Sequence, residues 1–172
     1  MSSTFVPSSA AVRQRFLPSV VLWLALPMAV LVPLWVVAGR MLFGIGGQMV
    51  LWLGISLGPA LLVLLLLTGI KLAEAGRRSV LLPVRAVVAP VLAWLAAIAF
   101  GFTVPDFGGG AGNGTSVMSL WAGPSALGMS TALCNPFGII AMALTITSTV
   151  FAFRAAAGGR KAAGPVTEAV DD

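Results

Sequence analysis

The feature that most constrains this chain is a series of long apolar runs that contain no charged residue. The first extends over 22 residues, from Leu17 to Ala38, and comparable runs follow it. A helix needs about 20 predominantly apolar residues to cross the hydrocarbon core of a bilayer. A helix also satisfies its own backbone hydrogen bonds, which lipid cannot do. The sequence therefore predicts an all-α integral membrane protein, a bundle of four transmembrane helices.

The composition supports this class of protein. Apolar residues make up 59% of the chain and charged residues 9%, whereas soluble domains carry about a quarter charged residues. So few charges would not cover the surface of a soluble domain of 172 residues. We therefore expect an N-terminal segment at residues 1–16, a transmembrane domain at 17–153 and a polar tail at 154–172, with no separate soluble domain.

The four spans are predicted at about residues 17–38, 48–70, 86–102 and 136–153. The first run could be mistaken for a secretory signal, because Val36 and Ala38 have the spacing of a cleavage site. It is longer than the apolar core of a signal peptide, which has roughly 7–15 residues. We therefore expect it to be an uncleaved first helix.

The basic residues fall almost entirely on one side of this arrangement. Arg40 alone lies on the other side, and nine basic residues lie together: Arg13, Arg15, Lys71, Arg77, Arg78, Arg85, Arg154, Arg160 and Lys161. Basic residues accumulate on the cytoplasmic side of membrane helices. Both termini are therefore expected in the cytoplasm. The preference for arginine over lysine and the abundance of alanine and glycine favour a bacterial protein, and hence the bacterial plasma membrane.

Residues 117–134 are too rich in glycine, serine and proline for an ordinary span, yet they carry no charge. A fifth crossing there would place the three basic residues of the tail on the same side as Arg40 and reduce the charge asymmetry. The sequence therefore disfavours it. Asparagine is a good helix N-cap and proline is favoured in the first turn, so Asn135 and Pro136 are expected to begin the fourth span. Segment 117–134 would then be interfacial or re-entrant. The alternative is one longer helix from about Ser125, kinked at Pro136.

Small residues recur at four-residue spacing in the second and third spans. Small side chains allow close approach of helix backbones, which drives association in lipid. The candidate helix-packing residues are Gly54, Gly58, Ala89, Ala93, Ala97 and Gly101. Packing within one bundle is the simpler explanation of this pattern, and an oligomer interface is the alternative.

Residues that carry catalytic or metal chemistry are scarce. The chain has no histidine, its only cysteine is Cys134, and its five acidic residues lie in predicted loops or in the tail: Glu74, Asp106, Glu168, Asp171 and Asp172. Catalysis and metal binding usually need groups that exchange protons or coordinate ions. We therefore expect no enzyme activity, no metal site and no cofactor. The scattered basic residues form no nucleic-acid-binding face, so no nucleic-acid partner is expected.

Four hydroxyl residues of the last span are candidates for the polar lining of a channel: Thr145, Thr147, Ser148 and Thr149. Hydrogen bonding to their own helix or to a neighbouring helix is the simpler expectation. The sequence favours a small, non-catalytic accessory or assembly partner that contacts lipid and either another membrane protein or further copies of itself. The alternative is a small oligomeric channel or transporter for a small solute. No stretch of the sequence matches a family motif residue by residue.

Overall fold

The computed structural model of the protein describes residues 9–77, 82–107 and 114–162. All regular structure in these residues is helical, and the α-helices are α1 (Ser9–Ala38), α2 (Gln48–Ile55), α3 (Leu57–Arg77), α4 (Val84–Thr103), α5 (Val117–Ala122) and α6 (Leu127–Ala162). One 3₁₀ turn, Gly39–Phe43, follows α1, and another, Pro124–Ala126, lies between α5 and α6. The predicted terminal segments and the glycine-rich loop before α5 lie partly outside the described residues.

Four helical stretches of the described chain are long and apolar enough to cross a membrane: Pro18–Phe43, Leu57–Arg77, Val84–Thr103 and Pro124–Gly158. This confirms, for the described residues, the prediction of an all-helical fold with four helices long and apolar enough to cross a membrane, as expected of a multi-pass membrane protein. The helices pack chiefly as the pairs α4–α6, α1–α3 and α3–α6. The buried face of α1 is a stripe of small and β-branched residues at helical spacing: Val21, Ala25, Ala29, Val32 and Val36.

The bundle has two chemically different ends. At one end, α3 finishes, α4 starts and α6 finishes around a cluster of alanines and one leucine that includes Leu72, Ala86 and Ala155. We call this the basic end, because four basic side chains lie there: Lys71, Arg77, Arg85 and Arg154. We call the opposite end the Arg40 end, after the one basic residue of the described chain that lies there.

The second predicted span is not one continuous helix. The helix is interrupted at Ser56. The backbone N–H of Ser56 donates to the Trp52 carbonyl at 3.1 Å and ends α2. The Ser56 hydroxyl donates to the same carbonyl at 2.6 Å. Pro59 lies in the first turn of α3, where a missing N–H costs no helical hydrogen bond. The break therefore leaves α3, Leu57–Arg77, as the second stretch long enough to cross a membrane.

The fourth span also begins earlier than predicted. Asn135 is not an N-cap and Pro136 is not a first-turn residue, because both lie inside the continuous helix α6. The structure thus corresponds to the alternative of one longer helix, and residues 117–134 form α5, a 3₁₀ turn and the first two turns of α6. Ala126 and Ser130 are buried against the bundle. Their packing holds the early turns helical despite the helix-breaking signal of Pro136.

The candidate packing residues lie on the inner sides of their helices. Gly58, Ala89, Ala93, Ala97 and Gly101 are buried, and Gly54 is half-buried.

At Gly101 the neighbour is an indole ring. A Cβ on Gly101 would lie 2.5 Å from Trp35 Nε1. The same Nε1 donates to the carbonyl of Ile98 at 3.2 Å. Glycine is therefore needed at position 101 because the edge of Trp35 occupies the space of a side chain.

We predict that Gly101→Ala destabilises the bundle, because the added methyl group overlaps the Trp35 ring. The expected cost is about 1–3 kcal/mol, as for other overpacked sites, measured as the loss of thermal stability in a mild detergent. Gly158→Ala is the control, since a Cβ there meets no atom within 4 Å. Equal stability of the two variants would contradict the assigned contact.

Candidate functional site

Arg40 lies in the 3₁₀ turn that follows α1, and only 2% of its surface is exposed. The backbone carbonyl of Arg40 closes the turn by accepting a hydrogen bond from the N–H of Ile45 at 3.2 Å. Gly44 adopts a left-handed conformation with φ of 72°. Glycine adopts this conformation without the steric cost that other residues meet. The turn therefore directs Arg40, the one arginine of this end among the described residues, inward.

Asp106 lies beyond the C-terminus of α4 and is 1% exposed. Its Oδ1 accepts a hydrogen bond from the backbone N–H of Met49 at 3.2 Å, in the first turn of α2. A Cβ on Gly47 would lie 2.6 Å from Oδ1, so this approach needs a glycine. Asp106 thus caps α2 from a distant part of the chain and places a negative charge at its positive end.

Arg40 and Asp106 are buried at the same end of the bundle but are not directly bonded. No ion pair within 4.0 Å joins them among the described residues. Arg40 Nε, Nη1 and Nη2 and Asp106 Oδ2 have no hydrogen-bond partner among the described residues. A buried charge without compensation is costly, so we expect two opposite charges at one end of the bundle to lower each other's burial cost.

A cluster of buried hydroxyls lies beside this pair. The Ser130 hydroxyl on α6 lies 2.6 Å from the Thr103 carbonyl and 2.6 Å from the Ser116 hydroxyl. Ser116 and Ser119 form a capping box at the start of α5, with bonds of 2.9 and 3.0 Å. These bonds join the C-terminus of α4, the N-terminus of α5 and the second turn of α6. They satisfy helix-end groups that lipid would leave unpaired.

Four aromatic side chains close the same end. Trp35 lies 4.9 Å from Phe102 and 6.2 Å from Phe43 between ring centroids. Trp121 of α5 completes the circuit, at 6.0 Å from Phe43 and 6.4 Å from Phe102. These distances and the tilted or edge-to-face orientations are those that aromatic pairs prefer. The circuit therefore connects α1, the Arg40 turn, α4 and α5.

The four hydroxyls considered as a polar lining do not share one surface. Thr145 and Ser148 are fully buried and donate to carbonyls of their own helix, at 2.7 and 2.8 Å. The Thr149 hydroxyl lies 2.9 Å from that of Thr68 and joins α6 to α3. Thr147 lies on the outer side of α6 and donates to the Ala143 carbonyl at 2.8 Å.

The sequence analysis did not find the charged pair at the Arg40 end. Both residues lie outside the predicted spans, in segments that resemble exposed loops. The available signal was that Arg40 is the only basic residue predicted on its side and Asp106 the only acidic one. No group of three or more histidine, cysteine, aspartate or glutamate residues in the described chain could hold a metal ion.

Comparison of the chain with protein-family models, with curated proteins and with solved structures found no match. Asp106 and the hydroxyl cluster bond to the start of α2, the end of α4 and the starts of α5 and α6.

We predict that Arg40 and Asp106 are strongly coupled in stability. Arg40→Met removes the positive charge, and Asp106→Asn removes the negative charge while keeping an acceptor for Met49 N–H. Each single change should cost about 1–3 kcal/mol, because it leaves the other charge buried without an opposite charge at the same end. The double variant should be less destabilised than the sum of the two, as measured by thermal unfolding in one detergent.

The control for this cycle is Arg77→Gln, an exposed arginine at the basic end, which should change stability by no more than about 0.5 kcal/mol. Additive effects of Arg40→Met and Asp106→Asn would show that the two charges do not act as a pair.

Proposed function

We propose that this protein is a non-catalytic assembly partner that binds a transmembrane helix of another membrane protein. The observation that carries the proposal is a surface on the first turns of α6. We call it the α6 outer face, and it consists of Gly128, Thr131, Ala132 and Asn135, all of which are exposed.

The composition of the α6 outer face suits contact with a helix. Gly128 and Ala132 are four residues apart, and so are Thr131 and Asn135, which puts all four on one side of the helix. Small residues at this spacing allow close backbone approach, and uncharged polar side chains hydrogen-bond across helices. The Thr131 hydroxyl already donates to the Leu127 carbonyl at 2.9 Å. The Asn135 amide is therefore the main polar group that the face offers to a partner.

The rest of the exposed side of α6 is different. Between residues 139 and 153 its large exposed side chains are apolar: Ile139, Ile140, Ile146, Val150 and Phe153. Such side chains suit direct contact with lipid tails. Lipid tails form no hydrogen bond with a polar amide such as that of Asn135. The α6 outer face is thus a local departure from a lipid-facing surface.

The interior offers less support for other functions. Asp106 accepts a hydrogen bond from the Met49 backbone N–H. The buried hydroxyls of α6 bond within α6 or to α3 and α4. A channel in an oligomer is the alternative function, and it draws less support because the hydroxyl candidates divide between the interior and the outer surface. A homo-oligomer would use the same α6 outer face.

We further infer that the protein lies in the bacterial plasma membrane with both termini in the cytoplasm. The support is the charge distribution, with Lys71, Arg77, Arg85 and Arg154 at one end of the bundle. The Arg40 end would then face outward, and α5 with the start of α6 would lie at the outer membrane boundary. Trp121 on α5 is exposed, and tryptophan is enriched at such boundaries.

Gly128→Leu should weaken partner binding without disturbing the fold. A Cβ at Gly128 meets no atom within 4 Å in the bundle, so leucine there obstructs only an external helix. We expect the wild-type protein, purified in mild detergent with mass measurement, to retain a defined membrane-protein partner. The Gly128→Leu variant should retain this partner about tenfold less, which corresponds to a loss of about 1.4 kcal/mol in binding free energy.

The matched control is Ala143→Leu, which enlarges another exposed small residue of α6 and should leave binding unchanged. If the purified protein is instead a defined homo-oligomer, the partner is a second copy of this chain. A monomer without any partner, or equal binding by both variants, would refute the proposal.

The orientation is tested by cysteine labelling in a background that carries Cys134→Ala. A cysteine at Ser125 should react with an impermeant reagent from outside intact cells, and a cysteine at Arg77 should react only after lysis. Both positions are exposed in the structure. Labelling of both from the same side would contradict the predicted topology.

A further inference from the structure

We propose that a cavity at the basic end binds the phosphate group of an anionic glycerophospholipid. The cavity has a volume of about 230 Å³ and lies where α4 begins and α6 approaches its end. Its lining residues are Pro83, Arg85, Phe151, Arg154, Ala155 and Gly158. Two arginines from different helices therefore line one small cavity, and none of its described lining residues is a carboxylate.

The two arginines have no carboxylate partner in the part of the chain that the structure describes. The ion pair found there joins Lys71 and Glu74, at 2.8 Å on α3. The Arg85 guanidinium lies 5.6 Å from the centroid of the Phe151 ring, a cation–π distance that holds it against the cavity wall. Two like charges repel each other, so an anion bound between Arg85 and Arg154 relieves the repulsion and accepts their N–H donors.

The start of α4 adds to the positive potential. Its N-cap is Pro83, whose side chain caps no N–H group. The Ala86 N–H donates to the Pro83 carbonyl at 2.8 Å, and the start of α4 carries the positive end of the helix dipole. Arginine guanidinium groups and helix N-termini both bind phosphate oxygens.

The position and the walls of the cavity favour a lipid over a soluble phosphate. Arg154 directly follows the last apolar run of α6, and Arg85 lies in the first turn of α4, so both lie at a membrane boundary. The other wall is apolar, formed by Phe151 and Ala155. A volume of about 230 Å³ is below the roughly 300–1,000 Å³ of pockets that enclose a whole small molecule. It suits a phosphate and its glycerol ester, with the acyl chains left outside in the bilayer.

The test is native mass spectrometry of the purified full chain in detergent, with phosphatidylglycerol or phosphatidylcholine added. We expect the wild-type protein to retain one phosphatidylglycerol in preference to phosphatidylcholine. Arg85→Gln combined with Arg154→Gln should weaken that retention by about tenfold, since each basic group near an anionic lipid contributes substantially to binding. Arg77→Gln is the control, because it removes an exposed arginine of the same end outside the cavity.

Each outcome decides the proposal. Equal loss with Arg77→Gln would show general surface attraction and would overturn the site. Displacement of the lipid by an equal concentration of inorganic phosphate would overturn the lipid source. If the double variant does not fold, the two single variants decide, and a loss of about threefold is expected from each. This proposal does not depend on the α6 outer face, so the two can fail separately.

Discussion

The structure depends on one constraint, which is that buried polar groups in a membrane protein must find their partners within the chain. The ends of α1 and α4 and the starts of α2, α5 and α6 meet at the Arg40 end, and each leaves backbone groups that need hydrogen bonds. Asp106 accepts from the N–H of Met49, and the Ser130 hydroxyl lies within hydrogen-bond distance of the Thr103 carbonyl. Arg40 is the buried basic residue at the same end. The closed end is therefore held by polar contacts as well as by the aromatic circuit.

This closure affects where function can lie. The buried hydroxyls of the described bundle serve helix ends and helix contacts, so the interior offers few unused groups apart from the Arg40 guanidinium and Asp106 Oδ2. The outer surface offers more: the small and polar α6 outer face near one end, and the two arginines of the cavity near the other. Arg85 and Arg154 retain their full donor capacity among the described residues, whereas Asn135 presents an uncharged amide. We accordingly assign partner binding and lipid binding to surfaces of the bundle.

Much of the fold was predictable from the sequence, because the length of an apolar run and the absence of charge directly reflect the thickness of a bilayer. Local signals were less reliable. Asn135 and Pro136 have the residue types of a helix start, but tertiary packing of Ala126 and Ser130 extends α6 past them. The burial of Asp106 had no local signal, because its neighbours resemble an exposed loop. Its position depends on Gly47, 59 residues earlier in the chain, because a side chain at position 47 would overlap the Asp106 carboxylate.

The most direct test of this account is hydrogen–deuterium exchange of the intact protein in lipid nanodiscs, followed at the Met49 amide. This amide lies in the first turn of α2, where a helix supplies no acceptor of its own. If Asp106 accepts its hydrogen bond, exchange at Met49 should be slow in the wild-type protein. It should become at least about tenfold faster in Asp106→Ala, which removes the acceptor. Fast exchange in the wild-type protein, at the rate of an exposed loop, would contradict the claim that Asp106 closes this end of the bundle.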